Sequence, residues 1–214
     1  MASLWVFDLD GTLIDVEARY LRIHGELISA RGGLADPEYW TKKRDKTPEP
    51  DIARTCGLDA GEAQAYASDR LHLLEDPRYL ALDRVFPGVF DVLGRIGPAR
   101  AVLATKRKNR AALETQLEKL CLRECFSRVL TPAVGDDKKT LHPSILGASP
   151  VGARIVSVSD SPQDIVDGKA SGFYTVAVLT GLRSRRFIEP TKPDATVGSI
   201  SELSLEEVEH VSHI

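Results

Sequence analysis

The chain has 214 residues, 43% of them hydrophobic and 28% charged, and carries a formal net charge of −3. This composition supplies ample core for one large domain, or a domain with a modest insert, and lacks the basic excess on which nucleic-acid binders rely. No apolar run approaches membrane-spanning length, and the N-terminus shows no basic region, signal-peptide core or cleavage site, so a cytoplasmic protein is expected.

The first apolar run, Leu4-Trp5-Val6-Phe7, predicts a strand buried on both faces, as in a parallel sheet. It leads into Asp8 and Asp10, two carboxylates two positions apart, and then Gly11 and Thr12. Ligands collect at the carboxyl ends of such strands. Carboxylates this close repel unless a cation or a shared proton separates them. A plain turn accounts for Asp10-Gly11 but gives no reason for Asp8 at the end of an apolar run.

From Val16 to about Leu34 the periodicity is helical, with Tyr20, Ile23, Leu27 and Ile28 on one face and Gly32-Gly33 as the stop. A basic stretch follows, Lys42, Lys43, Arg44 and Lys46 beside Trp40. Further helices are predicted from near Pro50 to Cys56 and from Ala60 to Leu74, and no strand between Leu13 and about Arg84. Residues 15–84 therefore read as an all-helical unit inserted between residues 1–14 and 85–214.

Beyond Val85 strands and helices alternate. A helix is expected over Val89 to Ile96, a strand from Arg100 to Thr105, and a helix from Arg110 to Leu120. A strand from Phe126 to Leu130, a short helix around Pro143, and a strand from Arg154 to Asp160 come next. A helix from Ile165 to Ala170, a strand from Tyr174 to Leu179 and an edge strand over Asp194 to Val197 complete the chain. This pattern implies right-handed crossovers and a parallel sheet. Three buried strands end in a polar residue: Asp8-Leu9-Asp10, Thr105 and Asp160. The cysteines, Cys56, Cys121 and Cys125, do not make a disulfide framework, and nothing near the Cys121/Cys125 pair completes a zinc set.

Asp8-Leu9-Asp10-Gly11-Thr12 resembles the first signature of the haloacid dehalogenase-like hydrolases, in their phosphoglycolate phosphatase-like and β-phosphoglucomutase-like branch. Thr105, a lysine at 138 or 139, and Asp160-Ser161-Pro162-Gln163-Asp164 follow in the family's order; Ser159 stands where a glycine is usual. The resemblance implies an α/β fold, a Rossmann-like doubly wound parallel sheet with an inserted helical cap. It implies Asp8 as nucleophile, Asp10 as general acid and base, and Thr105 with a lysine holding the phosphoryl group. Lys139 is preferred over Lys138, because Pro143 lies nearer the family's usual lysine-to-proline spacing from it. Asp8, Asp10 through its carbonyl, Asp160 and Asp164 form the implied Mg2+ site. Gly11, Thr12, Arg44 and Lys106 are the expected substrate contacts, Arg44 because guanidinium suits a second anionic group.

The activity so implied is hydrolysis of a small phosphorylated metabolite through an aspartyl-phosphate, by a monomer or homodimer with neither nucleic acid nor membrane as partner. Asp10 argues against a dehalogenase. The rivals are a phosphomutase, a phosphonate hydrolase using Lys42 or Lys43, and a non-catalytic binding module, against which the full acidic set speaks.

Overall fold

Alternation along β1 (Leu4–Phe7) divides the interior in two. Trp5 and Phe7 enter an apolar cluster with Leu103, Val156 and Val158, while Leu4 and Val6 enter another with Val102, Ile145 and Phe173. A strand buried on both sides needs cover on both. Trp5 and Phe7 are wholly buried, and each such side chain contributes about 1.5–3 kcal/mol. The computed structural model describes residues 3–210; residues 1–2 and 211–214, counted with the core in the sequence reading, lie outside the described residues.

After β1 come β2 (Ile14–Asp15), then α1 (Glu17–Ser29), α2 (Tyr39–Arg44), α3 (Glu49–Thr55), α4 (Ala60–Leu73) and α5 (Pro77–Leu80), and then β3 (Arg84–Val85). β2 and β3 pair antiparallel, Ile14 opposite Val85 and Asp15 opposite Arg84, so the chain leaves and re-enters the sheet region through one small ribbon. The helices between them form the cap. Their interior gathers Ile28, Ala53, Cys56, Leu58, Ala63 and Tyr66, and α4 opens with a reciprocal cap between Asp59 and Glu62.

The rest of the chain runs α6 (Val89–Ile96), β4 (Ala101–Ala104), α7 (Arg110–Lys119), β5 (Arg128–Leu130), α8 (His142–Ala148), β6 (Ile155–Ser159), α9 (Pro162–Ala170), β7 (Tyr174–Val178), α10 (Arg185–Ile188), β8 (Ala195–Val197) and α11 (Leu205–His210). The main sheet has six parallel strands in the order β5-β4-β1-β6-β7-β8. This is the doubly wound, Rossmann-like α/β arrangement expected, with a helical cap. After β5 the chain crosses to the other side of β1, so the topological switch lies at the carboxyl ends of β4, β1 and β6. Short elements escaped the sequence reading: α2, α5, α10, α11 and the β2/β3 ribbon. Among the described residues no helix is long and apolar enough to cross a membrane.

Candidate active site

The register of β1 against β6 carries Asp8 to the sheet rim, where its N–H donates to the Val158 carbonyl at 3.0 Å. The Leu9 N–H turns back onto Asp8 Oδ1 at 2.8 Å. Gly11, at φ +79°, then reverses the chain. A Cβ there would stand 2.7 Å from Asp160 Oδ2, so only glycine lets the first loop approach the end of β6. Asp160 is 2% exposed. Its own N–H donates to Thr12 Oγ1 at 3.1 Å, and the Leu182 N–H donates to its Oδ2 at 2.6 Å.

Burial pushes Asp160 up to about 7, and the nearby Asp8 charge adds to that. Burial likewise raises Asp8 to about 6; Lys138 opposes the rise and Asp164 reinforces it. Asp160, buried, and Asp8, half-buried, are each pushed toward neutrality by desolvation and by neighbouring carboxylates, and together make a donor set that a hard divalent cation satisfies. Among the described residues no group of three or more His, Cys, Asp or Glu side chains forms a metal cage. The set fits an ion such as Mg2+, which takes one or two carboxylates and completes its shell with other oxygens.

The lysine beside Asp8 is Lys138, and the preference for Lys139 is corrected. Lys138 Nζ lies 2.8 Å from Asp8 Oδ1 and 2.5 Å from Asp164 Oδ2, in a side chain 11% exposed. Lys139 is exposed. Both lie in a 3-10 turn over Lys138–Leu141, where one residue advances the direction by about a third of a turn, so only one of the two can face the site.

Asp164, in the first turn of α9, is committed to Lys138 and accepts from Ser159 Oγ at 2.8 Å. It anchors the lysine instead of standing free beside Asp160. Ser159 thereby explains its departure from the usual glycine: its Oγ also receives the Ser161 N–H at 3.1 Å.

A cavity of about 300 Å³ opens over these groups, lined from the core by Asp8, Asp10, Thr105, Lys138 and Asp160 and from the cap by Arg19 and Tyr20. Thr105, immediately after β4, is buried at its floor. Lys106 lines the rim but turns to Asp137 Oδ1 at 2.6 Å. Other expected substrate contacts do not line it. Gly11 and Thr12 back Asp160, and Arg44 donates through Nη2 to the Leu179 carbonyl at 2.7 Å, tying α2 to the end of β7. The remaining basic residues of that stretch are also engaged: Lys42 pairs with Asp36, Lys43 with Glu49, and Lys46 lies over the Phe187 ring.

Two arginines not chosen from the sequence converge on Asp10. Arg107 Nε and Nη2 reach Asp10 Oδ2 and Oδ1 at 2.7 Å each, and Arg19 Nη2 reaches Oδ1 at 2.8 Å. Burial opposes ionisation of Asp10, but the Arg107 and Arg19 guanidinia override it and hold the carboxyl far below the usual range. Arg107 stands two residues after Thr105, in the loop between β4 and α7. Arg19 had a readable signal: it stands four residues before Ile23 on α1, and an arginine on an apolar face requires an acid.

Comparisons with solved structures place this arrangement in a known fold. A haloacid dehalogenase-like hydrolase from Streptococcus pneumoniae matches with a TM-score of 0.73 at 16% identity, over 98% of each chain. A protein described as a phosphatase, from Clostridium difficile, matches at 0.76 and 18% identity, over 96% of this chain and 97% of its own. One described as a phosphoglycolate phosphatase, from Haemophilus somnus, matches at 0.73 and 17% identity, over 97% of both. No protein-family profile matches the sequence, and no curated protein does. The chain has the haloacid dehalogenase-like fold, as the first-loop motif implied.

Proposed function

We propose that this protein is a Mg2+-dependent phosphatase acting on a small phosphorylated metabolite through an aspartyl-phosphate on Asp8. The observation that carries the reading is the group at the switch point: Asp8 within 2.8 Å of a buried lysine, with buried Asp160 beside it and the cavity above. A carboxylate is a weak nucleophile toward a phosphate dianion, and charge neutralisation and alignment make the attack feasible. Asp8 and Asp160, with the Asp10 main-chain carbonyl, would hold the cation. When bound, it shields phosphate charge from the attacking carboxylate.

Asp8 attacks phosphorus as the ester P–O bond breaks, while Lys138 and Thr105 hold the negative oxygens. Asp10 leaves the Arg107 and Arg19 guanidinia, takes up a proton from solvent and supplies it to the departing alkoxide, then takes one from the water that attacks the aspartyl-phosphate. Inorganic phosphate and free Asp8 result. Asp164 and Ser159 keep Lys138 aimed at Asp8. The cap, closed by Arg44 on Leu179 and by Ser184 Oγ on Asp45 Oδ1 at 2.7 Å, excludes bulk water.

A phosphonate hydrolase would need a cap lysine in the cavity. Lys42 and Lys43 are outside it and paired with carboxylates, and the lysines that line it, Lys106 and Lys138, come from the core. The test is phosphate release from a panel of small phosphate esters with and without Mg2+, in the parent and in Asp8→Asn. Metal-dependent release abolished by the substitution supports the reading. No release from any ester, or release that survives Asp8→Asn, contradicts it.

A further inference from the structure

Away from the cavity over Asp8, a second space of about 500 Å³ runs between α5, the last helix of the cap, and α7 of the core. It is open because the facing side chains are short: Ala81 on one wall, and Ala111, Ala112 and Thr115 on the other. Leu80 and Leu120 make the rest of the lining largely apolar. Two ties between cap and core set the spacing of the walls. Just before α5, the Glu75 carboxylate accepts the Lys108 and Asn109 N–H groups at 2.9 and 2.6 Å, at the start of α7. Two turns further along α7, Gln116 Nε2 donates to the Leu80 carbonyl at 3.2 Å and to Asp83 Oδ2 at 2.7 Å. The groove is therefore preformed.

The charges exposed along it are of one sign. Arg84 and Lys119 line the groove, both exposed, and among the described residues neither pairs with a carboxylate. Arg84 Nη1 donates to the Ala81 and Asp83 carbonyls at 3.0 and 2.9 Å, which fixes the guanidinium and leaves its other N–H groups to a ligand. The carboxylate in the lining, Asp83, is wholly buried, and Arg19 at 3.3 Å and Arg107 at 3.7 Å answer its charge. An apolar trough edged by unpaired cations complements an amphipathic anion. From Ala112 to Lys119 its α7 wall extends about 10 Å along the helix. We propose that the groove binds a small amphipathic carboxylate, an acyl chain of about eight carbons lying between α5 and α7 with its head group on Arg84 and Lys119. Such a ligand touches cap and core together, so it holds α5 on α7 and favours the closed cap. The site uses none of the groups that carry the phosphatase reading and does not depend on it.

The test is calorimetric titration of the full chain with octanoate and with octan-1-ol, which has the same apolar body and no charge. Octanoate should bind with a Kd below about 1 mM and at least about 10-fold more tightly than the alcohol, the gain expected from charged hydrogen bonds. Replacing both cations, Arg84→Gln with Lys119→Gln, should bring the two affinities together. Thr115→Trp, on an exposed face of α7, fills the trough and should abolish binding of both, with a thermal melt to confirm folding. Hydrogen exchange locates the ligand in the parent without any substitution: octanoate should slow exchange over residues 77–84. Binding weaker than about 1 mM, equal affinity for acid and alcohol, or affinity unchanged in folded Thr115→Trp overturns the proposal. So does protection that falls on the loop after β1 and the end of β6 instead of residues 77–84, which would put octanoate in the cavity over Asp8.

Discussion

Replacing Lys138 by methionine removes a charge while keeping the length of the side chain. Lys138 Nζ is 2.8 Å from Asp8 Oδ1. At an effective dielectric of about 20, that separation corresponds to about 6 kcal/mol of attraction. Desolvation of the buried ammonium takes back much of it, and breaking such a pair from one side has a net cost of about 3–5 kcal/mol. The loss falls on Asp8 as well as on Asp164, and the carboxyl groups left around Asp8 oppose its ionisation. With Lys138 gone, the Asp8 carboxyl rises further above about 6, so at neutral pH less of it is ionised for attack. We expect Lys138→Met to lower kcat for acetyl phosphate with Mg2+ by about 10²–10³-fold, the usual cost of losing one preorganised charge stabiliser. The acidic limb of its pH–rate profile should move upward. Lys139→Met, on an exposed residue, should leave kcat within about twofold of the parent. Steady-state kinetics across pH, with a thermal melt of each variant to confirm folding, makes the comparison. Equal losses in the two variants, or near-parent turnover in Lys138→Met, would refute the assignment.

Further substitutions separate the site from its supports. A Cβ on Gly181 would meet Asp160 Oδ2 at 2.0 Å, so Gly181→Ala should displace Asp160 and weaken Mg2+ binding by about 10- to 100-fold in calorimetry; unchanged affinity would contradict Asp160 as a ligand. Arg44→Ala removes the bond to the Leu179 carbonyl, and α2 should exchange its amide hydrogens faster while KM for acetyl phosphate stays within about twofold of the parent. A raised KM with α2 exchange unchanged would return Arg44 to the substrate. His24, stacked on Tyr39 at 4.1 Å, is held below its ordinary pKa by burial, against Glu49 and Asp36. A histidine kept neutral in the fold favours the folded state above its unfolded pKa, and that contribution is lost as pH falls below about 6.5. Chemical denaturation of the parent should therefore lose more stability between about pH 6.5 and 5 than that of His24→Gln; parallel pH dependences would contradict a neutral His24.

The parts of the site legible in the sequence were those tied to buried strands. Leu4–Phe7 has no polar interruption, and a strand like that belongs at the centre of a parallel sheet, which puts Asp8 at its carboxyl end. The same logic reached Thr105 and Asp160. Groups whose direction depends on turn phase or long-range pairing were not legible. The choice between Lys138 and Lys139 turns on the phase of a single 3-10 turn, and a spacing measured to Pro143 does not carry that phase. Sequence alone does not separate a solvated helix surface from a substrate pocket for the Lys42–Lys46 cluster, because Asp36, Glu49 and the Leu179 carbonyl meet it only in the fold. β2 and β3 are too short to show a period, and they exist because Ile14 meets Val85 across the base of the cap. Gly11 and Thr12 were recognised by motif, but their geometric task is the support of Asp160.

The central claim is that Asp8 carries the phosphoryl group during turnover. Its most direct test is to mix the protein with Mg2+ and acetyl phosphate, quench in acid, reduce with borohydride and map the peptides by mass spectrometry. An acyl phosphate on an aspartate is reduced to homoserine under these conditions. The account predicts homoserine at position 8 and aspartate retained at positions 10 and 160. Homoserine at position 10 or 160, or phosphate release without any trapped residue and undiminished in Asp8→Asn, would contradict it.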